Sequence, residues 1–399
     1  MIDYNIQTSN GFPCTRSFGK TDINGPESQY DLKNRTTDQS SLNQALSSSH
    51  SFSRMQPSKT ILVTGASGFV AAHIIEAFIS AGYDVRGTVR SEATAEKVRR
   101  TFPRYGEQLS FAIVPDIVKD GAFDEAVKGV DGIMHTACPG AIETDSNERD
   151  IVQPAISGTI NILKSAQKHG LQVKRIVITS SFASMIDMSK GTWPGHTYSE
   201  KDWNPMTYEQ AVSEGTSSVQ AYLAAKKVAE RAAWDFVRDE NTSFDLVTIL
   251  PPMIYGPNIN ATHVSQLNIT SADIYRFMSP DSKPSDPIPD NGFWSWVDVR
   301  DVAQAHLKAY EVPEAGGERF FICAGNYSYQ QIADILREKV PEVKDRVPIG
   351  KPGSGFGGVE LYTPDAGKSQ RILGLRYRGL EESAVDSAYA FLELEKHSN

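Results

Sequence analysis

Apolar positions change period along this chain, and each change marks an element. From Lys59 the sequence reads KTILVTGASGFVAAHIIEAFISAGYDVRGTVR. Ile61-Leu62-Val63 is a short apolar run, which predicts a strand buried on both faces. Gly65 and Gly68 follow, with Ala71 three positions on. Then Ile74, Ile75, Phe78 and Ile79 recur at helical spacing until Gly82. Val85 to Val89 reads as a second strand. The alternation continues with a helix over 92–102, a strand over 109–114, a short helix over 123–127 and a strand over 131–137. A long helix over 150–169 and a strand over 175–179 come next. The polar, aromatic stretch 187–218 reads as a loop at a pocket rim. Val219 to Glu230 is strongly helical, and 244–250 is a strand. After it, 258–292 reads as irregular and 293–297 as a strand. Asp298 caps a helix, 319–323 is a strand, and helices fall near 329–339 and 380–394.

Strands alternating with helices predict an α/β fold: a Rossmann-type, doubly wound parallel sheet with a smaller C-terminal lobe. The expected division is a dinucleotide-binding domain over 58–250 and a mainly substrate-binding lobe over 251–399, with segments around 294–326 returning to the sheet. Residues 1–57 break the pattern. Ser, Asn, Gln, Thr and Asp dominate there, and such a stretch cannot bury enough apolar surface to offset its ordering entropy. It is expected to be a disordered extension.

The glycine turn has a chemical meaning. Gly65 permits a tight exit from the strand, and Gly68 lets backbone approach a pyrophosphate. Ala71 lets the helix lie near the strand, and the helix N-terminus faces the phosphates. The end of the second strand then selects the nucleotide. An NAD site places an acid there for the ribose 2′-hydroxyl. This chain has Arg90, which suits a 2′-phosphate and favours NADPH, although a solvated surface arginine is the plainer alternative. Asp116-Ile117 follows the third strand, where an adenine ring would lie. Gly158, inside the long helix, costs about 1 kcal/mol relative to Ala, which suggests close packing against cofactor or sheet.

Tyr222 and Lys226 are four apart, so they share one helix face. A free tyrosine is a poor acid at neutral pH, and a neighbouring ammonium lowers its pKa. Ser181 stands at a strand's carboxyl end, where a hydroxyl can hold and polarise a carbonyl. A Tyr-x-x-x-Lys pair alone is nearly uninformative. Its force here comes from following a dinucleotide turn and a Ser-bearing strand in order. Cys138 reads as a small residue lining the cleft, and His135 as a satisfied core histidine.

Composition narrows the alternatives. The net charge of -9 opposes nucleic-acid binding. There is no run of 18 apolar residues and no basic-then-apolar leader, so neither a membrane span nor a secretory signal is expected. Three cysteines form no disulfide framework, and the eight scattered histidines offer no metal spacing. A cytoplasmic protein without a metal is expected.

The turn Thr64-Gly65-Ala66-Ser67-Gly68-Phe69, His135-Thr136-Ala137, Thr179-Ser180-Ser181, Tyr222-x-x-x-Lys226 and Tyr255-Gly256-Pro257 resemble the extended short-chain dehydrogenase/reductases. Within that family the chain is most similar to the dihydroflavonol 4-reductase-like branch and its fungal methylglyoxal, aldehyde and ketone reductases. Thr88-Val89-Arg90-Ser91, 146–150, 226–234 and 349–355 carry that likeness. The resemblance implies NADPH-dependent reduction of an aldehyde or ketone, with Ser181, Tyr222 and Lys226 as the catalytic set. It implies NADP(H) contacts from Gly65, Ser67, Gly68, Phe69, Val70, Arg90, Asp116, Ile117, Thr136, Ala137, Tyr222, Lys226 and Pro251. It assigns Cys138, Phe182 and Met253 to the substrate pocket. The partner is a small carbonyl compound, in fungal secondary metabolism or aldehyde detoxification, and the protein is a monomer or homodimer. Departures include Ser157, Ala225 and Phe182, which leave the reaction type alone but make the substrate unreadable. Two other readings compete: an NAD-dependent nucleotide-sugar epimerase or dehydratase, and a non-catalytic NADP-binding regulator.

Overall fold

The computed structural model describes residues 58–138 and 144–397. The expected disordered extension, 1–57, lies outside the described residues. In chain order the strands are β1 (Thr60–Thr64), β2 (Asp84–Val89), β3 (Leu109–Ile113), β4 (Gly132–His135), β5 (Arg175–Thr179) and β6 (Asp245–Leu250). They continue with β7 (Met253–Tyr255), β8 (Ser295–Asp298), β9 (Arg319–Phe321) and β10 (Gly325–Asn326). The main helices are α1 (Phe69–Ser80), α2 (Glu92–Thr101), α3 (Gln153–His169), α4 (Ser218–Asp239), α5 (Val299–Glu311), α6 (Tyr329–Lys339) and α7 (Leu380–Lys396).

The central sheet has seven strands in the order β9-β6-β5-β4-β1-β2-β3. Every pairing in it is parallel. The chain runs outward from β1 through β2 to β3, then returns to the other side of β1 to lay down β4, β5 and β6. The order reverses between β1 and β4, which opens a crevice at their carboxyl ends. Ile61, Leu62 and Val63 are fully buried, as a doubly covered parallel strand requires.

Against the expectations, β8 does not enter this sheet. It forms a separate three-stranded sheet, β10-β8-β7, parallel to β7 and antiparallel to β10. Of the 294–326 stretch, β9 is the piece that pairs with β6 at the edge of the central sheet. Helix α5 shares the hydrophobic core of α1.

Four local expectations are corrected. Residues 123–127 form turns, not a helix, because Gly121 and Gly129 sit at positive φ on either side and leave too few residues to propagate one. The helix expected from 150 starts as a π-turn over Glu148–Val152, and the α-helical ladder begins at Gln153. Pro154, with no N–H to donate, then falls in its first turn. The 187–218 stretch is not a pocket-rim loop. Tyr198 packs edge-on against Phe182 and Tyr362 in a buried cluster, and Thr207 and Gln210 cap a short helix over Tyr208–Val212. Likewise 258–292 contains a helix, Ile269–Tyr275.

The sheet is tied at the edge opposite the crevice by Arg175, whose side chain is 10% exposed. Its guanidinium donates to both carboxylate oxygens of Asp245 on β6, at 2.7 and 2.8 Å. It also reaches the carbonyls of Ala309 and Val312 at the end of α5, at 2.7 and 2.6 Å. Removing it strands buried acceptors, a loss discounted because Asp245 is partly exposed. Arg175→Met is expected to lower stability by about 2–3 kcal/mol in urea unfolding while kcat at 25 °C stays within about two-fold. An unchanged midpoint would contradict this account.

Candidate active site

The crevice at the carboxyl ends of β1, β4 and β5 is a cavity of about 830 Å³. All the residues expected to bind cofactor or substrate line it: the Gly65–Val70 turn apart from Ala66, Arg90, Asp116, Ile117, Thr136 to Cys138, Ser181, Phe182, Tyr222, Lys226, Pro251 and Met253.

The glycine turn forms one end. Gly65 has φ +69°, and a Cβ there would lie 3.2 Å from the Ala137 Cα, so both conformation and space demand glycine. The Gly65 N–H donates to Thr88 Oγ1 and the Ala66 N–H to the Thr88 carbonyl, which ties the turn to β2. Gly68 is the N-cap of α1, with no side chain capping the helix and no acid in its first turn. A narrow backbone cradle, an uncapped positive helix end and an exposed Arg90 at the tip of β2 fit a dinucleotide carrying a 2′-phosphate.

Ile117 and Asp116 sit at the far end of the crevice. Asn161 on α3 holds their loop, reaching the carbonyls of Ile117, Val118 and Lys119 at 2.9–3.0 Å. A Cβ on Gly158 would lie 2.9 Å from Ile117 Cδ1. The mid-helix glycine therefore makes room for this loop.

The reacting end is built by α4, whose start is fixed by a capping box between Ser217 and Gln220. Tyr222 presents 36% of its surface to the cleft. One turn on, Lys226 Nζ donates to the Thr179 carbonyl at 3.1 Å, across to the end of β5. Ser181 follows β5, and its hydroxyl oxygen accepts the Ala183 N–H at 3.1 Å. Burial raises the Tyr222 pKa above the ordinary tyrosine value. The Lys226 ammonium pulls the other way, as expected, but is outweighed. Burial opposes the Lys226 charge, yet Cys138, Tyr222 and Glu230 leave its pKa raised.

Two histidines near this end are held neutral. Thr64 Oγ1 accepts the N–H groups of Thr136 and Ala137, so its single proton goes to His135 Nδ1 at 3.0 Å. Burial, with Lys226 nearby, lowers the His135 pKa to about 3, which matches a satisfied core histidine. His306 lies 2.7 Å from Thr179 Oγ1 and is lowered to about 4 by burial. Among the described residues no cluster of His, Cys, Asp and Glu could hold a metal ion.

The pocket wall differs in part from expectation. Phe182 is 3% exposed and stacks on Phe321, so it closes the cavity floor and offers substrate little surface. Leu223, Phe293, Asn268 and Thr270 also line the cavity and were not anticipated. Leu223 could have been found as the neighbour of Tyr222. Asn268, Thr270 and Phe293 carry no local signal, since the start of the Ile269–Tyr275 helix and the segment before β8 bring them there from afar.

The chain is similar to known proteins over most of its length. Residues 61–323 match the profile of the NAD dependent epimerase/dehydratase family. The NADPH-dependent methylglyoxal reductase of Saccharomyces cerevisiae is 36% identical over 84% of this chain and 99% of its own length. A ketoreductase of Aspergillus niger is 37% identical over 84% of this chain and 98% of its own. The crystal structure of yeast methylglyoxal/isovaleraldehyde reductase complexed with NADPH superposes with a TM-score of 0.78 at 35% identity, covering 85% of this chain and 99% of that one. This chain belongs to the NAD dependent epimerase/dehydratase family, among the extended short-chain dehydrogenase/reductases that include these fungal reductases.

Proposed function

We propose that this protein is an NADPH-dependent reductase that converts an aldehyde or ketone to an alcohol. The observation that carries this reading is the convergence of Ser181, Tyr222 and Lys226 on one end of a cleft whose other parts are the glycine cradle and Arg90. An arginine at the tip of β2, where an NAD-retaining epimerase would have an acid, supports reduction over epimerisation. Retention of Tyr222 and Lys226 speaks against a non-catalytic regulator.

The bound dinucleotide supplies the hydride. The Ser181 hydroxyl donates a hydrogen bond to the substrate carbonyl oxygen and polarises it. Tyr222 gives that oxygen its proton as the carbonyl carbon is reduced, and Lys226 stabilises the phenolate left behind. Met253 and Phe293 line the substrate side, which supports a carbonyl compound with an apolar substituent. Residues 58–250 are read as the cofactor domain and 251–399 as mainly the substrate lobe. A cytoplasmic location accords with the sparse cysteines. Among the described residues no helix is long and apolar enough to cross a membrane.

Tyr222→Phe is expected to lower kcat by about 10²–10⁴-fold and leave NADPH affinity within about two-fold. Turnover close to that of the parent would refute Tyr222 as proton donor. The pH profile follows from the same group. Reduction needs the protonated phenol, and burial lifts its pKa above 10.0. Carbonyl reduction should therefore show no Tyr222 limb near neutrality and should fall in strongly alkaline solution, while alcohol oxidation rises over the same limb. A limb of the opposite sign would reassign the acid. Arg90→Ala is expected to weaken NADPH about 10–100-fold by calorimetry and NADH less than about two-fold, from the loss of a charge-assisted pair. Equal weakening of both would remove Arg90 from the phosphate site.

A further inference from the structure

Beneath the reacting groups lies a charged pair that no step of the reduction touches. Glu230 stands one turn after Lys226 on α4, and its side chain is 1% exposed. A buried carboxylate is tolerated only when its acceptor positions are filled. Here Oε1 accepts from Arg319 Nε at 2.7 Å, Thr248 Oγ1 at 2.9 Å and Trp234 Nε1 at 3.4 Å. Oε2 accepts the hydroxyl of Ser180, the residue before Ser181. Burial opposes ionisation of Glu230, but Arg319 and the serine hydroxyls outweigh it and keep the carboxyl below its ordinary range.

Arg319, on the edge strand β9, is 10% exposed. Its Nη1 donates to the carbonyls of Glu200 and Asp202, and its guanidinium lies 3.5 Å from the centre of the Trp203 ring. The loop that carries these residues returns to the catalytic turn. Asn204 Nδ2 donates to the Ala183 carbonyl at 3.1 Å, and the Asn204 N–H to the Ser184 carbonyl at 2.8 Å. The turn from Ser180 to Ser184 is therefore gripped on one side by Glu230 and on the other by Asn204, and Arg319 joins the two grips. The Ser181 hydroxyl oxygen is held from within the same turn, by the Ala183 N–H at 3.1 Å. Its hydroxyl reaches the Pro251 carbonyl only at 3.5 Å.

We propose that Glu230 and Arg319 are positioning residues of the reductase, which fix the Ser180–Ser184 turn so that the Ser181 hydroxyl is held against the carbonyl beside Lys226. This rests on the catalytic reading of Ser181, Tyr222 and Lys226. A displacement of about 1 Å at such a group is enough to cost about 100-fold in rate.

The test separates positioning from bare stability. Arg319→Met alone leaves a buried carboxylate unpaired and should lower both the melting temperature and kcat. The double variant Glu230→Gln/Arg319→Met removes the charge with its partner. It is expected to regain part of the melting temperature lost in Arg319→Met, because the carboxylate is no longer left charged and unpaired. Its kcat should stay at least about 10-fold low, with NADPH affinity within about two-fold. Ser180→Ala cuts the direct hydrogen bond from the residue before Ser181 to the pair. It should lower kcat about 5–10-fold in the parent and not further in the double variant. A stable double variant with kcat within about two-fold of the parent would overturn the proposal. If the double variant does not fold, Ser180→Ala with parental kcat overturns it by itself. Tyr222→Phe assayed in parallel keeps the two readings apart, because full activity there sinks the catalytic assignment, not the positioning of the turn.

Discussion

One parallel pairing, β1 against β4, decides where everything else in this protein goes. Thr64 lies opposite His135 at the end of that pairing. Its hydroxyl takes the N–H groups of Thr136 and Ala137 and gives its own proton to His135. The end of β4 is thereby fixed beside the turn after β1, and a Cβ on Gly65 would press against Ala137 at 3.2 Å. On one side the chain continues as helix α1. On the other it returns through α3 to β5 and the Ser181 turn. A cleft at this point follows from the reversal of strand order, with no need of a dedicated pocket-forming segment.

The electrostatics of the site depend on how dry it is. His135 and His306 are buried deeply enough to stay neutral, so they serve as hydrogen-bonding spacers for Thr64 and Thr179. Burial opposes the Lys226 charge, yet its surroundings, Cys138, Tyr222 and Glu230, leave its pKa raised, and its anchor on the Thr179 carbonyl sets its direction. Tyr222 experiences both burial and the ammonium, and burial wins. A phenol held protonated in this way is suited to giving up its proton when a negative charge develops next to it.

Much of the fold could be read from the sequence because its signals are local. The strand, glycine turn and helix from Thr60 to Ser80 lie within one continuous stretch, and so does the Tyr222–Lys226 spacing on α4. Expectations failed where local signals competed with longer-range ones. The helix expected over 123–127 lost to two glycines at positive φ, and the start of the long helix moved to accommodate Pro154. The aromatic residues of 187–218 looked like a pocket rim, yet Tyr198 is buried against Phe182 and Tyr362.

The sequence by itself determined the class of fold, the glycine turn, the arginine at the tip of β2 and the pairing of tyrosine with lysine, because each is set by neighbours within a few residues. Only the tertiary structure decided that β8 would leave the central sheet, that Asn268, Thr270 and Phe293 would wall the pocket, and that Arg319 would meet Glu230. Those contacts join residues far apart in the chain, 89 positions between Arg319 and Glu230. Such pairings follow from which faces are buried against one another, and no local periodicity records that.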